Sequence, residues 1–217
     1  KNGLPINNKE LIVKIKYIIR EKIRSDIRLL KKTDTTINSN ELNFFERTKH
    51  TDKKHLSNEL LPHSQGFDVG VISEAGCPAI ADPGADIVDI AQRKNIKVIP
   101  LVGPSSILMS LMASGFNGQS FAFQGYLPMD NDERIQKIKQ IEQRIYLEDQ
   151  TQIFIETPFR NIKLVNDLIK TCRPSTKLCI AMNITCEDEL IKTLPIKDWS
   201  KQLPDMNKKP CIFLIYK

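Results

Sequence analysis

The stretch Val71–Ile72–Ser73–Glu74–Ala75–Gly76–Cys77–Pro78–Ala79–Ile80–Ala81–Asp82–Pro83–Gly84, with Val98–Ile99–Pro100–Leu101–Val102–Gly103–Pro104–Ser105–Ser106 after it, decides the fold. Each half reads as the end of an apolar strand that opens into a loop of small residues and then a helix. Around them the pattern predicts strand Asp68 to Ile72, helix Ala85 to Lys94, strand Lys97 to Leu101 and helix Ser105 to Ala113. That βαβα order belongs to a parallel sheet. In an open α/β sheet such loops gather at the carboxyl ends of the strands, where small side chains let backbone N–H groups approach a ligand. Two of them in succession point to one small-molecule cleft.

Upstream, the apolar positions Leu11, Ile15, Ile18, Ile19, Ile23, Ile27 and Leu30 recur at helical spacing, yet Val13 to Tyr17 alternates as a strand does. One long amphipathic helix and a helix–strand–helix both fit. Leu42 to Phe45 reads as a short strand, and Lys53 to Leu61 as a short helix that Pro62 ends.

Downstream, Gly115–Phe116–Asn117–Gly118 is a turn-rich break and the expected boundary between an N-terminal domain, residues 1–116, and a C-terminal one, 117–217. Beyond it the pattern predicts strand Ser120 to Gln124, a charged helix Asn131 to Glu148, strand Gln152 to Glu156 and helix Arg160 to Thr171. Strand Lys177 to Asn183, a hairpin partner Glu189 to Thr193, a short helix near Trp199 and a last strand Cys211 to Tyr216 follow. This half is a mixed sheet with helices.

The 217 residues, 41% of them hydrophobic, suffice for a substantial core and argue against disorder. A net charge of +6 is compatible with an acidic partner such as nucleic acid. The five cysteines, Cys77, Cys172, Cys179, Cys186 and Cys211, form no close-set pair and are odd in number. That fits buried thiols in a reduced, cytoplasmic protein and no metal site. Between Val98 and Met129 no residue is charged, but Pro100, Gly103, Pro104, Gly115 and Gly118 cut the run into pieces shorter than the ~20 residues of a spanning helix. It reads as interior, with no membrane association. No signal peptide is legible, and the chain starts at Lys1, which leaves open a native start further upstream.

Four motifs occur in order: Ser-Glu-Ala-Gly-Cys-Pro with Asp-Pro-Gly in 73–84, Gly-Pro-Ser-Ser in 103–106, Phe-Gln-Gly-Tyr-Leu-Pro in 123–128 and Glu-Thr-Pro-Phe-Arg in 156–160. Together they resemble the tetrapyrrole methylase superfamily, and within it the branch of small-subunit ribosomal RNA methyltransferases. The resemblance covers about residues 7 to 217. It implies two α/β domains: an N-terminal, mostly parallel sheet with helices on both faces, and a C-terminal mixed sheet. It also implies S-adenosylmethionine in a cleft between them, a homodimer, and methyl transfer to a second substrate. In the named branch that substrate is a ribose 2′-hydroxyl of ribosomal RNA.

The chain departs from the pattern in places. The family opens with an apolar strand and a Pro- and Gly-containing loop, and nothing before Glu10 supplies them. An acidic pair followed by Thr-Arg survives only as Glu21 and Arg24, and a late Arg-Glu-Leu-Thr-Lys pattern has become Met182–Asn183–Ile184–Thr185–Cys186. His50, followed by Thr51 and Asp52, keeps only the His of a His-Asn-Glu. These departures bear on the RNA substrate more than on the cofactor.

By resemblance, Ser73, Glu74, Ala75, Gly76, Cys77, Ile80, Ser105, Ser106, Phe123, Met182 and Asn183 are the expected cofactor contacts. Glu21, His50, Glu156 and Arg160 are the expected substrate contacts. Each has a plainer alternative. The 75–78 loop also suits a tight turn, Glu74 a helix cap, Ser105 and Ser106 an N-cap, and Asp82 the ordering of its own turn. Phe121 and Phe123 suit core packing as well as stacking on adenine. Glu156 and Arg160 suit a structural ion pair, and Met182 with Asn183 suits core plus turn. No catalytic residue is singled out; Glu21, His50 and Glu156 are the carboxylates and imidazole that could serve a hydroxyl nucleophile as base.

The expected function is therefore that of a cytoplasmic S-adenosylmethionine-dependent methyltransferase, acting on ribosomal RNA. A methylase of a tetrapyrrole or other small heterocycle, and a non-catalytic S-adenosylmethionine-binding protein, are the alternatives.

Overall fold

The computed structural model describes residues 6–20, 41–46, 58–73 and 76–217. The chain divides into two compact units, 1–105 and 106–217.

In the first unit, α1 (Ile6–Lys14) leads into β1 (Tyr17–Arg20), followed by β2 (Asn43–Glu46), α2 (Leu61–Ser64), β3 (Val69–Val71) and α3 (Gly84–Arg93). The strands form an all-parallel sheet in the order β2-β1-β3, with Ile19 beside Phe45 and Val71. Alternation along β1 sends neighbouring isoleucines to opposite faces. Ile19 joins Ile87, Ile90 and Ala91 of α3, whereas Ile18 packs with Ile12 and Ile15 at α1. Both faces are covered, as a parallel sheet requires. The ambiguous segment from Leu11 thus resolves, as far as Arg20, into helix and then strand; Glu21, Arg24 and His50 lie outside the described residues.

Of the helix expected over Lys53 to Leu61, residues 53–57 lie outside the described residues, and helical backbone at 58–59 gives way to a turn at Leu60. Pro62 sits buried in the first turn of α2, where its missing N–H would have had no partner in any case. One expectation for this unit is corrected. Residues 97–101 do not form a strand: none of the three strands of the sheet pairs with them, and Ile99 and Val102 are 65% and 75% exposed. Their apolar alternation suits a sheet, but a strand exists only through a ladder partner, and no described residue provides one.

The second unit contains α4 (Ser106–Ser114), β4 (Phe121–Tyr126), α5 (Asn131–Glu148), β5 (Thr151–Ile155) and α6 (Asn161–Thr171). These are followed by β6 (Lys177–Met182), β7 (Leu190–Pro195), α7 (Ile196–Trp199) and β8 (Cys211–Tyr216). The sheet order is β4-β5-β8-β6-β7, with β4 and β5 parallel and the other pairs antiparallel. Phe154 faces Ile138, Ile141 and Ile145 of α5 and Leu164 and Leu168 of α6. Its neighbour Ile153 faces the other way, toward Leu111 of α4 with Cys179 and Leu214.

That second face accounts for the position of the division. Helix α4 was expected before the boundary at 116/117, but Leu111 belongs to the second unit's core and Thr193 Oγ1 donates to Ser114 O at 2.8 Å. The division therefore falls at 105/106. Cys172, Cys179 and Cys211 are buried thiols; burial raises all three pKa values, that of Cys211 to about 12. Cys186 is exposed.

Asp130 caps α5, its Oδ1 accepting from the N–H groups of Asp132 at 2.9 Å and Glu133 at 3.1 Å. These bonds favour the carboxylate and lower its pKa, with the Glu133 N–H the largest cause. A lowered folded-state pKa means stabilisation that is complete above the ordinary carboxylate range and fades as pH falls through the folded value. Asp130→Ala is expected to melt below the parent at pH 7, with the gap closing in acid. Asp130→Asn, which keeps the acceptor, should track the parent at pH 7. Thermal melts of the three proteins from pH 7 to pH 2 check this.

Candidate active site

In the first unit, the loop after β3 carries the expected ligand contacts. Its Asp-Pro-Gly segment is built on Asp82, whose Oδ1 accepts from Ala79 N at 3.1 Å and Gly84 N at 2.7 Å. A Cβ on Gly84 would lie 2.7 Å from that same oxygen, so only glycine permits the bond. Asp82 organises the turn, the plainer of its two readings. Between β3 and this turn the backbone enters the left-handed region at Gly76 (φ 76°), Ala79 (φ 67°) and Ala81 (φ 54°). For alanine that region is strained, and such strain gathers at ligand-binding loops. Cys77 Sγ donates to Pro104 O at 3.8 Å, tying this loop to the Gly-Pro-Ser-Ser loop, and Asn8 Nδ2 of α1 donates to Val102 O at 2.6 Å. Ser73 and Ser105 are half-buried; Ile80 is exposed, as is Ser106, the first residue of the second unit. Glu74 and Ala75 lie outside the described residues.

A small cleft opens at the carboxyl ends of β1 and β3, lined by Arg20, Ile72, Asp82, Pro83 and Gly84 among others. Arg20 is a residue that sequence reasoning missed. It is 2% exposed, with its guanidinium carbon 3.6 Å from the centre of the Phe44 ring. A charged residue closing the apolar run Tyr17–Ile18–Ile19 was the available signal.

In the second unit, the expected residues collect at one sheet edge. Parallel β4 and β5 both end there, at Tyr126 and Ile155, and antiparallel β8 begins there, with Ile212 opposite Ile155 and Cys211 opposite Met182 of β6. The edge thus holds Glu156, Arg160, Met182 and Asn183. Gly125, at φ 65°, takes β4 through a register shift between Phe123 and Tyr126. Its left-handed conformation is the bulge that glycine makes at low cost, and it explains the Gly in Phe-Gln-Gly-Tyr-Leu-Pro.

Glu156 and Arg160 meet as an ion pair, Arg160 Nη2 lying 2.8 Å from Glu156 Oε2. The Glu156 side chain is 2% exposed, and its other oxygen accepts from Thr157 N at 2.6 Å and Thr157 Oγ1 at 3.2 Å. Both oxygens are engaged, an arrangement suited to holding Arg160 rather than to taking a proton. Beside them Asn161, fully buried, donates through Nδ2 to Met206 O at 3.1 Å and Lys209 O at 2.8 Å, pinning the start of α6 to the loop before β8. Asn183 N donates to Pro210 O at 3.1 Å on the same loop. The Met182 side chain lies in the core, and Phe123 is half-buried against the Ile153 cluster.

No protein-family model matches the chain. It is 29% identical over 154 residues to the ribosomal RNA small subunit methyltransferase I of Vibrio cholerae, across 70% of this chain and 52% of that protein. With the protein of the same name from Buchnera aphidicola subsp. Schizaphis graminum the identity is 32% over 170 residues, 77% of this chain and 58% of that protein. The chain thus spans little more than half the length of the curated relatives it matches. Among solved structures it is similar to diphthine synthase, with TM-score 0.69 and 15% identity over 99% of this chain and 84% of that one. It is also similar to the methyltransferase CobJ, with TM-score 0.65 and 14% identity over 100% of this chain and 90% of that one.

The chain is similar in sequence to these ribosomal RNA methyltransferases and shares its fold with CobJ and diphthine synthase. Of the four motifs, one follows β3, one leads into α4, one closes β4 and one follows β5. Their spacing along the chain reflects the spacing of the elements that carry them.

Proposed function

We propose that this chain is a member of the tetrapyrrole methylase superfamily, an S-adenosylmethionine-dependent methyltransferase whose acceptor is small-subunit ribosomal RNA, at a ribose 2′-hydroxyl. The observation that carries the reading is the position of three of the four motifs at strand ends and of the fourth at the start of α4, together with relatives whose names state ribosomal RNA methylation. Bound S-adenosylmethionine supplies a methyl group already activated on a sulfonium.

The protein's task is then to hold and orient, which contributes roughly 7–11 kcal/mol to such reactions. Ser73, Glu74, Ala75, Gly76, Cys77, Ile80 and Ser105 are the first unit's contacts, and Ser106, Phe123, Met182 and Asn183 the second unit's. The loop suits the role, since a Cβ built on Gly76 meets no atom within 4 Å, leaving its backbone open to a ligand. Met182, with its side chain in the core, would contribute backbone. Arg160, held by Glu156, is the substrate contact among the described residues, and Glu21 and His50 are candidates for the same role. We place the protein in the cytoplasm, where ribosomal RNA is methylated, as a homodimer.

Transfer of a labelled methyl group tests the reading. Label from S-adenosylmethionine is expected in small-subunit ribosomal RNA, in a nucleoside that resists alkali as a 2′-O-methyl does. Label in a small-molecule extract and none in RNA would move the acceptor to a small heterocycle; label in neither would remove the transferase.

A further inference from the structure

At the second unit's sheet edge, Phe159 is 76% exposed between Pro158 and Arg160. Arg160 is held by Glu156, and Lys163 stands exposed one turn further along α6. Asn161 draws the loop 206–209 against the start of this helix through Met206 O and Lys209 O, which brings Lys208 and Lys209 to the same corner. Arg160, Lys163, Lys208 and Lys209 thus lie on the two segments that Asn161 joins, beside the exposed ring of Phe159. Of the acids on this edge, Glu156 pairs with Arg160, while Asp205 accepts from the N–H of Asn207 at 3.1 Å, Asp188 from Asn183 Nδ2 and Glu189 from Thr185 N on the loop that Asn183 joins to Pro210.

An aromatic face among cations is the chemistry that binds single-stranded nucleic acid, bases stacking on the ring and phosphates meeting Lys and Arg. We propose that residues 159–163 and 206–209 form a binding ledge for single-stranded RNA, with Phe159 under a base and Arg160, Lys163, Lys208 and Lys209 along the backbone. The proposal rests on the RNA methyltransferase reading and adds the place where the acceptor strand lies. The chain's net charge of +6 favours a polyanion over a second copy, which carries the same excess.

The test is fluorescence anisotropy of a labelled single-stranded oligoribonucleotide with the full chain, Phe159→Ala and the double variant Lys208→Ala/Lys209→Ala. Phe159→Ala is expected to weaken binding roughly 5- to 150-fold, the range of one base–aromatic stack. The double variant should lower the slope of log affinity against log salt by about 1.4, that is about 0.7 for each phosphate no longer neutralised. Unchanged S-adenosylmethionine affinity and urea midpoint would show that both variants fold. Parent-like RNA binding by both, in a protein that methylates RNA, would overturn the ledge and leave the enzyme reading standing. A variant that changed the sedimentation of the protein alone would assign the surface to a second copy and overturn the ledge too. A parent that neither binds S-adenosylmethionine nor methylates RNA would remove the reading and the ledge with it.

Discussion

Arg134→Ala is expected to destabilise the second unit by about 3–5 kcal/mol, the usual result of stranding one partner of a buried ion pair. Arg134, with a side chain 1% exposed, donates through Nε to Asp167 Oδ2 at 2.8 Å. Its Nη1 donates to the carbonyls of Pro128 at 3.2 Å, Met129 at 2.8 Å and Asp130 at 3.3 Å, and its Nη2 to Asn131 Oδ1 at 3.1 Å. The guanidinium thus joins α5, α6 and the loop that completes the Phe-Gln-Gly-Tyr-Leu-Pro motif. Removing it leaves the buried Asp167 without its ion-pair partner and the Pro128 and Met129 carbonyls without the guanidinium, while Asp130 O keeps the backbone N–H of residue 134. Arg134→Lys should recover little, because an ammonium does not reproduce the planar fork. Arg134→Met with Asp167→Leu should recover more than either half alone, since no charge is then left buried. Urea unfolding followed by the fluorescence of Trp199 is a direct readout. It is the chain's one tryptophan, 1% exposed, with Nε1 donating to Leu178 O at 2.8 Å.

Glu156→Gln is the second large effect, and here the expected change is in function. Gln keeps an acceptor for Thr157 but loses the charge that holds Arg160. Arg160 is 24% exposed and can turn to water, so the loss of stability should stay near the ~1.5–3 kcal/mol of a hydrogen bond to a charged group. The Michaelis constant for the acceptor should rise roughly tenfold, about 1.4 kcal/mol, as Arg160 loses its aim. The pH dependence of turnover should stay that of the parent. A general base would behave otherwise, with turnover falling roughly 10²–10⁴-fold and the basic limb of the profile lost. That outcome would make Glu156 the base. Glu156→Asp, which keeps the charge, should recover part of the acceptor affinity.

Most of the elements were legible because their signals are local. The helix expected over Asn131 to Glu148 is α5 to the residue, fixed by the Asp130 cap at one end and Asp149, in the left-handed region at φ 52°, at the other. The strand expected at Cys211 to Tyr216 is β8 in full. Signals that depend on a distant partner were not legible. The run at 97–101 has the alternation of a strand, but whether it becomes one depends on a neighbour that its own residues do not specify. Helix α4 precedes an obvious break yet belongs after it, because Leu111 is claimed by a core whose other fully buried members begin some forty residues later.

The candidate site divides in the same way. Glu156 and Arg160, flanking Pro158, read equally as substrate contacts and as an ion pair with each other, and the ion pair is there. Arg134 looked like one more charge on a charged helix, since Asp167, its partner, stands 33 residues away. Asn161 gave no signal at all, because the carbonyls it binds lie 45 and 48 residues downstream. Glu21, Glu74, Ala75 and His50 lie outside the described residues, and their roles rest on the resemblance.

The central claim is that the loops at 73–80 and 103–106 hold S-adenosylmethionine, and titration calorimetry tests it most directly. The full chain is expected to bind S-adenosylmethionine and S-adenosylhomocysteine at one site each, in mutual competition. Gly76→Val, which forces a β-branched residue to φ 76°, should weaken both by roughly tenfold or more, about 1.4 kcal/mol, without moving the Trp199 unfolding midpoint. No heat of binding from either ligand, in a protein whose Trp199 reports a folded second unit, would contradict the account.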